Sequence, residues 1–179
     1  MQEHEIVNFL GIDFDVMQCD SVIMTLVNNT QPSFYYIVTP NADHVVRYHE
    51  DIKFKLAYDK AKYRICDSKV LWLLAMLTTN RFSVTPGADL VTGLINNKFV
   101  EDYKLMVLGP SLDQFAFLKK NYPKINWLWT KAPENLTQGT KEWTDLVSEV
   151  SQIDFDLLLC CLSSPKQEIF CHELELLNK

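Results

Sequence analysis

Glycine is scarce in this chain, with five residues in 179. No Gly-x-Gly-x-x-Gly or phosphate-loop pattern occurs, which argues against a nucleotide cradled by a glycine-rich loop. The four histidines are dispersed, with no His-Glu-x-x-His, and the five cysteines form no Cys-x-x-Cys. Metal binding therefore has little support. A Gly-x-Ser-x-Gly elbow is also missing, which disfavours a hydrolase of that class. Apolar runs such as Leu71 to Leu77 fall far short of the roughly 18–20 residues of a spanning helix.

An excess of basic residues is lacking as well. The formal net charge is −6, which argues against a nucleic-acid partner, because neutralising phosphates needs a basic surface. It gives no general attraction to anionic lipid either, a local basic patch aside. The start, Met1-Gln2-Glu3-His4-Glu5, has no basic region of the kind that opens a signal peptide. An odd number of scattered cysteines reads as buried, reduced thiols in a cytoplasmic protein rather than a disulfide framework. No repeat, low-complexity tract or Pro/Gly/Ser linker appears, so a single domain over 1–179 is expected.

What is present is an alternation of strand and helix signals. After a small strand pair within 6–14 and a helix over 21–28, Phe34 to Val38 reads as a strand closed by Thr39-Pro40-Asn41. Pro40 pushes Thr39 out of helical geometry, and a helix is expected from Asn41 to about Tyr58. Tyr63 to Cys66 is a second strand, ending at Asp67-Ser68. The helix after it, Lys69 to Leu77, is apolar nearly all round and should be deeply packed. Thr85 and Pro86 open another helix, ending near Asn96. Tyr103 to Leu108 and Ile125 to Thr130 are strands, and Ser111-x-x-Gln114 between them is a capping-box pattern. Thr140 opens a helix with Trp143, Leu146, Val147 and Val150 at i, i+3, i+4 and i+7. Finally Asp156 to Leu162 reads as a buried strand feeding Ser163-Ser164-Pro165-Lys166-Gln167. There Ser164 is the expected N-cap, Pro165 the first helical residue and Gln167 the capping-box partner. This alternation calls for an α/β fold with right-handed crossovers: a three-layer, mostly parallel sheet with helices on both faces, Rossmann-like.

The polar residues after successive strands are Thr39 and Asn41, Asp67, and Gln167. A parallel sheet brings strand C-termini to one edge, where ligands bind. A carboxylate there can take a proton from an attacking hydroxyl while amides and hydroxyls fix a substrate. Each residue also has a plain reading as helix-end chemistry. Local sequence leaves both readings open.

Phe9-Leu-Gly-Ile-Asp-Phe-Asp, Thr39-Pro-Asn41-Ala-Asp-His-Val, Asp67-Ser, Gly87-Ala-Asp89-Leu and Ser164-Pro-Lys-Gln167-Glu168 together resemble, in this order, the WecG/TagA/CpsF glycosyltransferases. The resemblance covers essentially the whole chain. It implies inverting transfer of an N-acetylmannosamine-like sugar from a UDP-sugar donor to a polyprenyl-diphosphate-linked acceptor sugar. In the best-known members this serves wall-teichoic-acid or common-antigen synthesis. Carried over, it makes Asp67 the general base and places Thr39, Asn41, Asp89 and Gln167 in the substrate site. It also implies no metal or redox cofactor, a homo-oligomer, and a cytoplasmic protein that meets the inner face of the membrane peripherally. The family's usual Asp-Gly is Asp67-Ser68 here, and Val84 stands where an arginine is common, with Arg81 near by. The family pattern continues beyond this chain's last helix with a strand, a glycine-rich segment and a basic tail. The chain is therefore expected to lack that C-terminal segment. These departures define a second reading, a nucleotide-sugar-binding or assembly module without turnover.

Overall fold

The computed structural model describes residues 4–28, 33–78 and 81–177. Its contacts gather into two compact units, Met1–Leu94 and Ile95–Lys179.

The first unit opens with a hairpin, β1 (Ile6–Phe9) antiparallel to β2 (Ile12–Asp15). Its two turn residues, Leu10 and Gly11, both have positive φ, the geometry whose twist matches the flanking strands. The buried Asp15 carboxylate ties the hairpin to the next sheet. It accepts from the Arg64 backbone N–H at 2.7 Å and lies 2.5 Å from His4 Nε2. Helix α1 (Cys19–Val27) follows. Then β3 (Ile37–Val38) pairs in parallel with β4 (Tyr63–Arg64). Both strands are shorter than the Phe34–Val38 and Tyr63–Cys66 spans expected. The parallel bonding nevertheless continues past them, through Lys62 N–H to Tyr36 O, Ile65 N–H to Val38 O and Asp67 N–H to Pro40 O.

The single helix expected from Asn41 to Tyr58 is two, α2 (Ala42–Glu50) and α3 (Ile52–Lys60). Asp51 between them is extended, and its carboxylate accepts from the N–H groups of Lys53 and Phe54. A short acidic side chain here stabilises a new helix start better than it continues the old one. Phe54, Ala57 and Tyr58 are fully buried against this pair, and Tyr58 Oη lies 2.9 Å from His44 Nδ1.

Helix α4 (Lys69–Met76) is where expectation fails most. Deep packing was expected, yet only Leu71 and Ala75 are buried, while Val70, Leu73, Leu74 and Leu77 face outward. An all-apolar sequence gives no clue to which stripe is inside. The last element of this unit, α5 (Gly87–Ile95), packs closely on α1: a Cβ on Gly93 would sit 2.6 Å from Ile23 Cδ1.

The second unit contains a short 3₁₀ turn (Lys98–Asp102), β5 (Lys104–Leu108), α6 (Leu112–Asn121), β6 (Asn126–Thr130), α7 (Lys141–Ser151), β7 (Leu157–Cys160) and α8 (Lys166–Leu177). Its sheet is wholly parallel, in the order β6-β5-β7. Central β5 buries Leu105 through Leu108, whereas β7 is half-buried rather than fully buried as expected. The α7 stripe behaves as read: Trp143, Leu146, Val147 and Val150 are all buried. Trp143 meets Phe170 of α8 edge to face at 5.6 Å and donates its indole N–H to Glu173 at 2.6 Å. Burial of each large side chain contributes about 1.5–3 kcal/mol. The alternating order and the parallel sheets are those of an α/β, Rossmann-like fold.

Candidate active site

The parallel pair β3–β4 delivers Thr39 and Asp67 to one edge, one or three residues past the last paired residue of each strand. On the plain helix-end reading Asp67 would cap α4. Instead Ser68 does so, its Oγ accepting from Leu71 N–H at 3.2 Å. The neighbouring hydroxyl thereby releases the carboxylate. Asp67 reaches across to α5, and its Oδ1 accepts from the Gly87 N–H at 2.9 Å. That contact places a negative charge where the α5 dipole favours one. Its second oxygen has no partner among the described residues, and the side chain is half-buried.

Gly87 is also where Thr39 arrives. A Cβ on Gly87 would lie 3.3 Å from Thr39 Oγ1, so the missing side chain allows the threonine to sit over the start of α5. Thr39, Asp67 and Gly87 are thus brought together. Asn41 takes a mixed role: its Oδ1 accepts from His44 N–H at 3.1 Å and caps α2, as the plain reading expected. Its amide nitrogen is left without a protein partner among the described residues. Asp89 is in the first turn of α5 with its side chain exposed. Thr85 does not serve as a cap; its hydroxyl donates to Met17 O at 3.2 Å. Burial pushes the thiol of Cys66, next to the carboxylate, up to about 11, which disfavours the reactive thiolate.

In the second unit the edge of interest is the β5–β7 switch point, where open α/β sheets bind ligands. Gly109 ends β5 with φ 114°, and a Cβ there would be 2.9 Å from Cys161 O, so only glycine lets the two strand ends approach. Beside them is an open cavity of about 600 Å³ lined by Gly109, Pro110, Asp113, Gln114, Phe117 and Cys161. Sequence reasoning missed it; the Gly-Pro pair directly after a strand was the available signal.

The second feature of this edge is the turn from β7 to α8. The capping box expected there does not form. Ile169 N–H bonds to Pro165 O, and Lys166 N–H to Ser163 O, so α8 starts at Lys166. Pro165 then occupies the cap position, and Ser164 lies one residue outside the helix. Ser164 Oγ is buried with no hydrogen-bond partner, and Gln167 donates to Glu168 Oε1 at 2.8 Å instead of turning back to the turn. Ser164, read as a structural cap, is therefore a further candidate for ligand contact.

Among the described residues no three His, Cys, Asp or Glu side chains gather into a group able to hold a metal ion, and no helix is long and apolar enough to cross a membrane. A family model described as the glycosyl transferase WecG/TagA/CpsF family matches residues 7–179. No curated protein matches the chain in sequence.

Proposed function

We propose a specific reaction for this chain, which belongs to the glycosyl transferase WecG/TagA/CpsF family. The family's members are glycosyltransferases, so the reaction joins a nucleotide-sugar donor to a sugar acceptor. In our reading the donor is a UDP-sugar of the N-acetylmannosamine type and the acceptor sugar is carried on a polyprenyl diphosphate. Asp67 takes the proton of the acceptor hydroxyl. The freed oxygen attacks the anomeric carbon from the face opposite the nucleotide, and the bond from that carbon to the diphosphate breaks. Inversion follows from a single displacement.

The observation that carries this reading is the division of labour at Asp67-Ser68. Ser68 satisfies the helix, while Asp67 keeps one oxygen anchored by Gly87 N–H and the other open. A general base needs this combination of fixed position and free lone pair. Thr39 and the Asn41 amide nitrogen lie on the same strand-end edge as donors for the acceptor sugar, and exposed Asp89 is the next acidic group along α5. Taken by itself, the second unit offers Gln167 and Ser164 at the start of α8 as candidate substrate contacts, where helix N–H groups favour an anionic diphosphate. The cavity beside α6 suits the nucleoside rather than the phosphates. There the capping box already engages the helix end, and Asp113 repels anions while accepting from ribose hydroxyls.

The test is transfer from UDP-sugar to a lipid-diphosphate acceptor by Asp67→Asn. Turnover should fall by about 10²–10⁴ with the fold retained by circular dichroism. Activity at the wild-type rate removes Asp67 as the base. Calorimetry on the wild type adds the second arm: saturable heat with UDP-sugar but no product marks a binding module without turnover.

A further inference from the structure

We infer that Glu168 is a positioning residue for Gln167, turning the Gln167 carbonyl oxygen toward an N–H or O–H group on the sugar of the nucleotide-sugar. A carboxamide has a donor end, its NH₂, and an acceptor end, its C=O. Gln167 Nε2 donates to Glu168 Oε1 at 2.8 Å. A carboxylate oxygen accepts, so the carbonyl end of the amide gains nothing in that place. The orientation of Gln167 therefore follows from the chemistry of its neighbour. Glu168 is itself fixed, 2% exposed and followed by buried Ile169 and Phe170, whereas Gln167 is half-buried. The Gln167 Oε1 has no partner among the described residues.

That open oxygen selects its ligand. Phosphate oxygens only accept, so a carbonyl facing a diphosphate makes no bond and repels it. The Nε2 end suits a phosphate no better, because the Glu168 carboxylate already stands beside it. Sugars carry the complementary groups: ring hydroxyls and, in an acetamido sugar, an amide N–H. Donors for the diphosphate lie in the same turn, in the Ser164 hydroxyl, which is buried without a partner, and in the N–H groups of the helix start. Sugar and diphosphate are directly joined in a nucleotide-sugar. Ser164 and Gln167 thus suit adjacent parts of one ligand, the first its anion and the second its sugar.

The inference deepens the function proposed above and rests on it for the nucleotide-sugar. It adds Glu168, which acts through Gln167, and it gives Gln167 to the sugar rather than to the phosphates.

The experiment is calorimetry of the full chain with UDP, UDP-mannose and UDP-N-acetylmannosamine. Gln167→Ala should weaken UDP-N-acetylmannosamine about tenfold and leave UDP unchanged. Glu168→Gln, whose amide donates as well as accepts, frees Gln167 to turn over. It should cost about fivefold with the same ligand, again sparing UDP. The two substitutions together should lose no more than Gln167→Ala alone, because Glu168 acts through Gln167, whereas a merely structural Glu168 gives losses that add. A loss shared with UDP-mannose assigns the contact to a ring hydroxyl, and a loss confined to UDP-N-acetylmannosamine assigns it to the acetamido N–H. Circular dichroism checks folding; Glu168→Asp, too short to hold Gln167, serves if Glu168→Gln does not fold. The proposal is overturned if the Glu168 variant binds as the wild type does, if the losses add, or if UDP is weakened as much as the sugar nucleotide. The expected losses without any transfer to a lipid-diphosphate acceptor by the wild type refute the proposed reaction and leave the Glu168–Gln167 pair standing. Transfer by the wild type, with both variants binding unchanged, refutes the pair and leaves the reaction standing. A wild type that binds none of the three ligands overturns both.

Discussion

Two turns in the second unit carry the same four-residue signature and do different things with it. At Ser111-x-x-Gln114 the box closes: Gln114 N–H donates to Ser111 Oγ at 3.3 Å, and Ser111 N–H to Gln114 Oε1 at 2.8 Å. At Ser164-x-x-Gln167 neither bond forms. The difference is one residue of helix register. Phe115 N–H bonds to Ser111 O, which makes Ser111 the cap, whereas Ile169 N–H bonds to Pro165 O. A cap works only if its oxygen faces the N–H groups two and three residues on, and a shift of one residue removes it from them. The first turn is self-sufficient. The second leaves a buried hydroxyl and a half-buried amide side chain that helix formation does not need. Asp67-Ser68 shows both behaviours in adjacent residues.

The sharpest way to break this comparison is at that adjacent pair. Asp67→Asn should remove about 10²–10⁴ of turnover with little change in melting temperature, since an amide oxygen still accepts from Gly87 N–H. Ser68→Ala should do the reverse, lowering stability by about 1 kcal/mol while sparing turnover. If both variants lose stability alike, the division between engaged and open side chains is wrong. Next in size is Gln167→Ala, for which we expect about tenfold weaker donor or acceptor affinity from the loss of one substrate hydrogen bond. Thermal melting should scarcely move. A loss of stability with unchanged affinity would return Gln167 to helix-end chemistry.

Much of the fold was legible because it depends on periodicity. The α7 stripe, the β5 and β6 strands and the Ser111 box are local patterns whose partners are a few residues away. Asn41 was legible as a cap for the same reason. What sequence left unread depends on partners far along the chain. The Asp67 acceptor bond joins positions twenty apart, and Thr39 meets Gly87 only because β3 and β4 pair in parallel. The outward face of α4 failed for another reason: uniform hydrophobicity carries no phase, so its buried stripe is fixed by neighbours alone. Resemblance supplied the candidate residues, and geometry then separated those engaged in holding the backbone from those left open.

The smallest effects test the two turns directly. Ser111→Ala removes a cap in use and should cost about 1 kcal/mol of stability, read as a lower denaturation midpoint, with transfer unaffected. Ser164→Ala removes a hydroxyl of the same kind from the same pattern, but one that is buried and unbonded. Deleting an unsatisfied buried polar group relieves a desolvation cost, so stability should stay within a few tenths of a kcal/mol or rise. If the hydroxyl waits for substrate, its loss appears instead as weaker UDP-sugar binding by calorimetry. Equal destabilisation by the two substitutions would mean that α8 begins at Pro165 in solution, and that the second box closes after all.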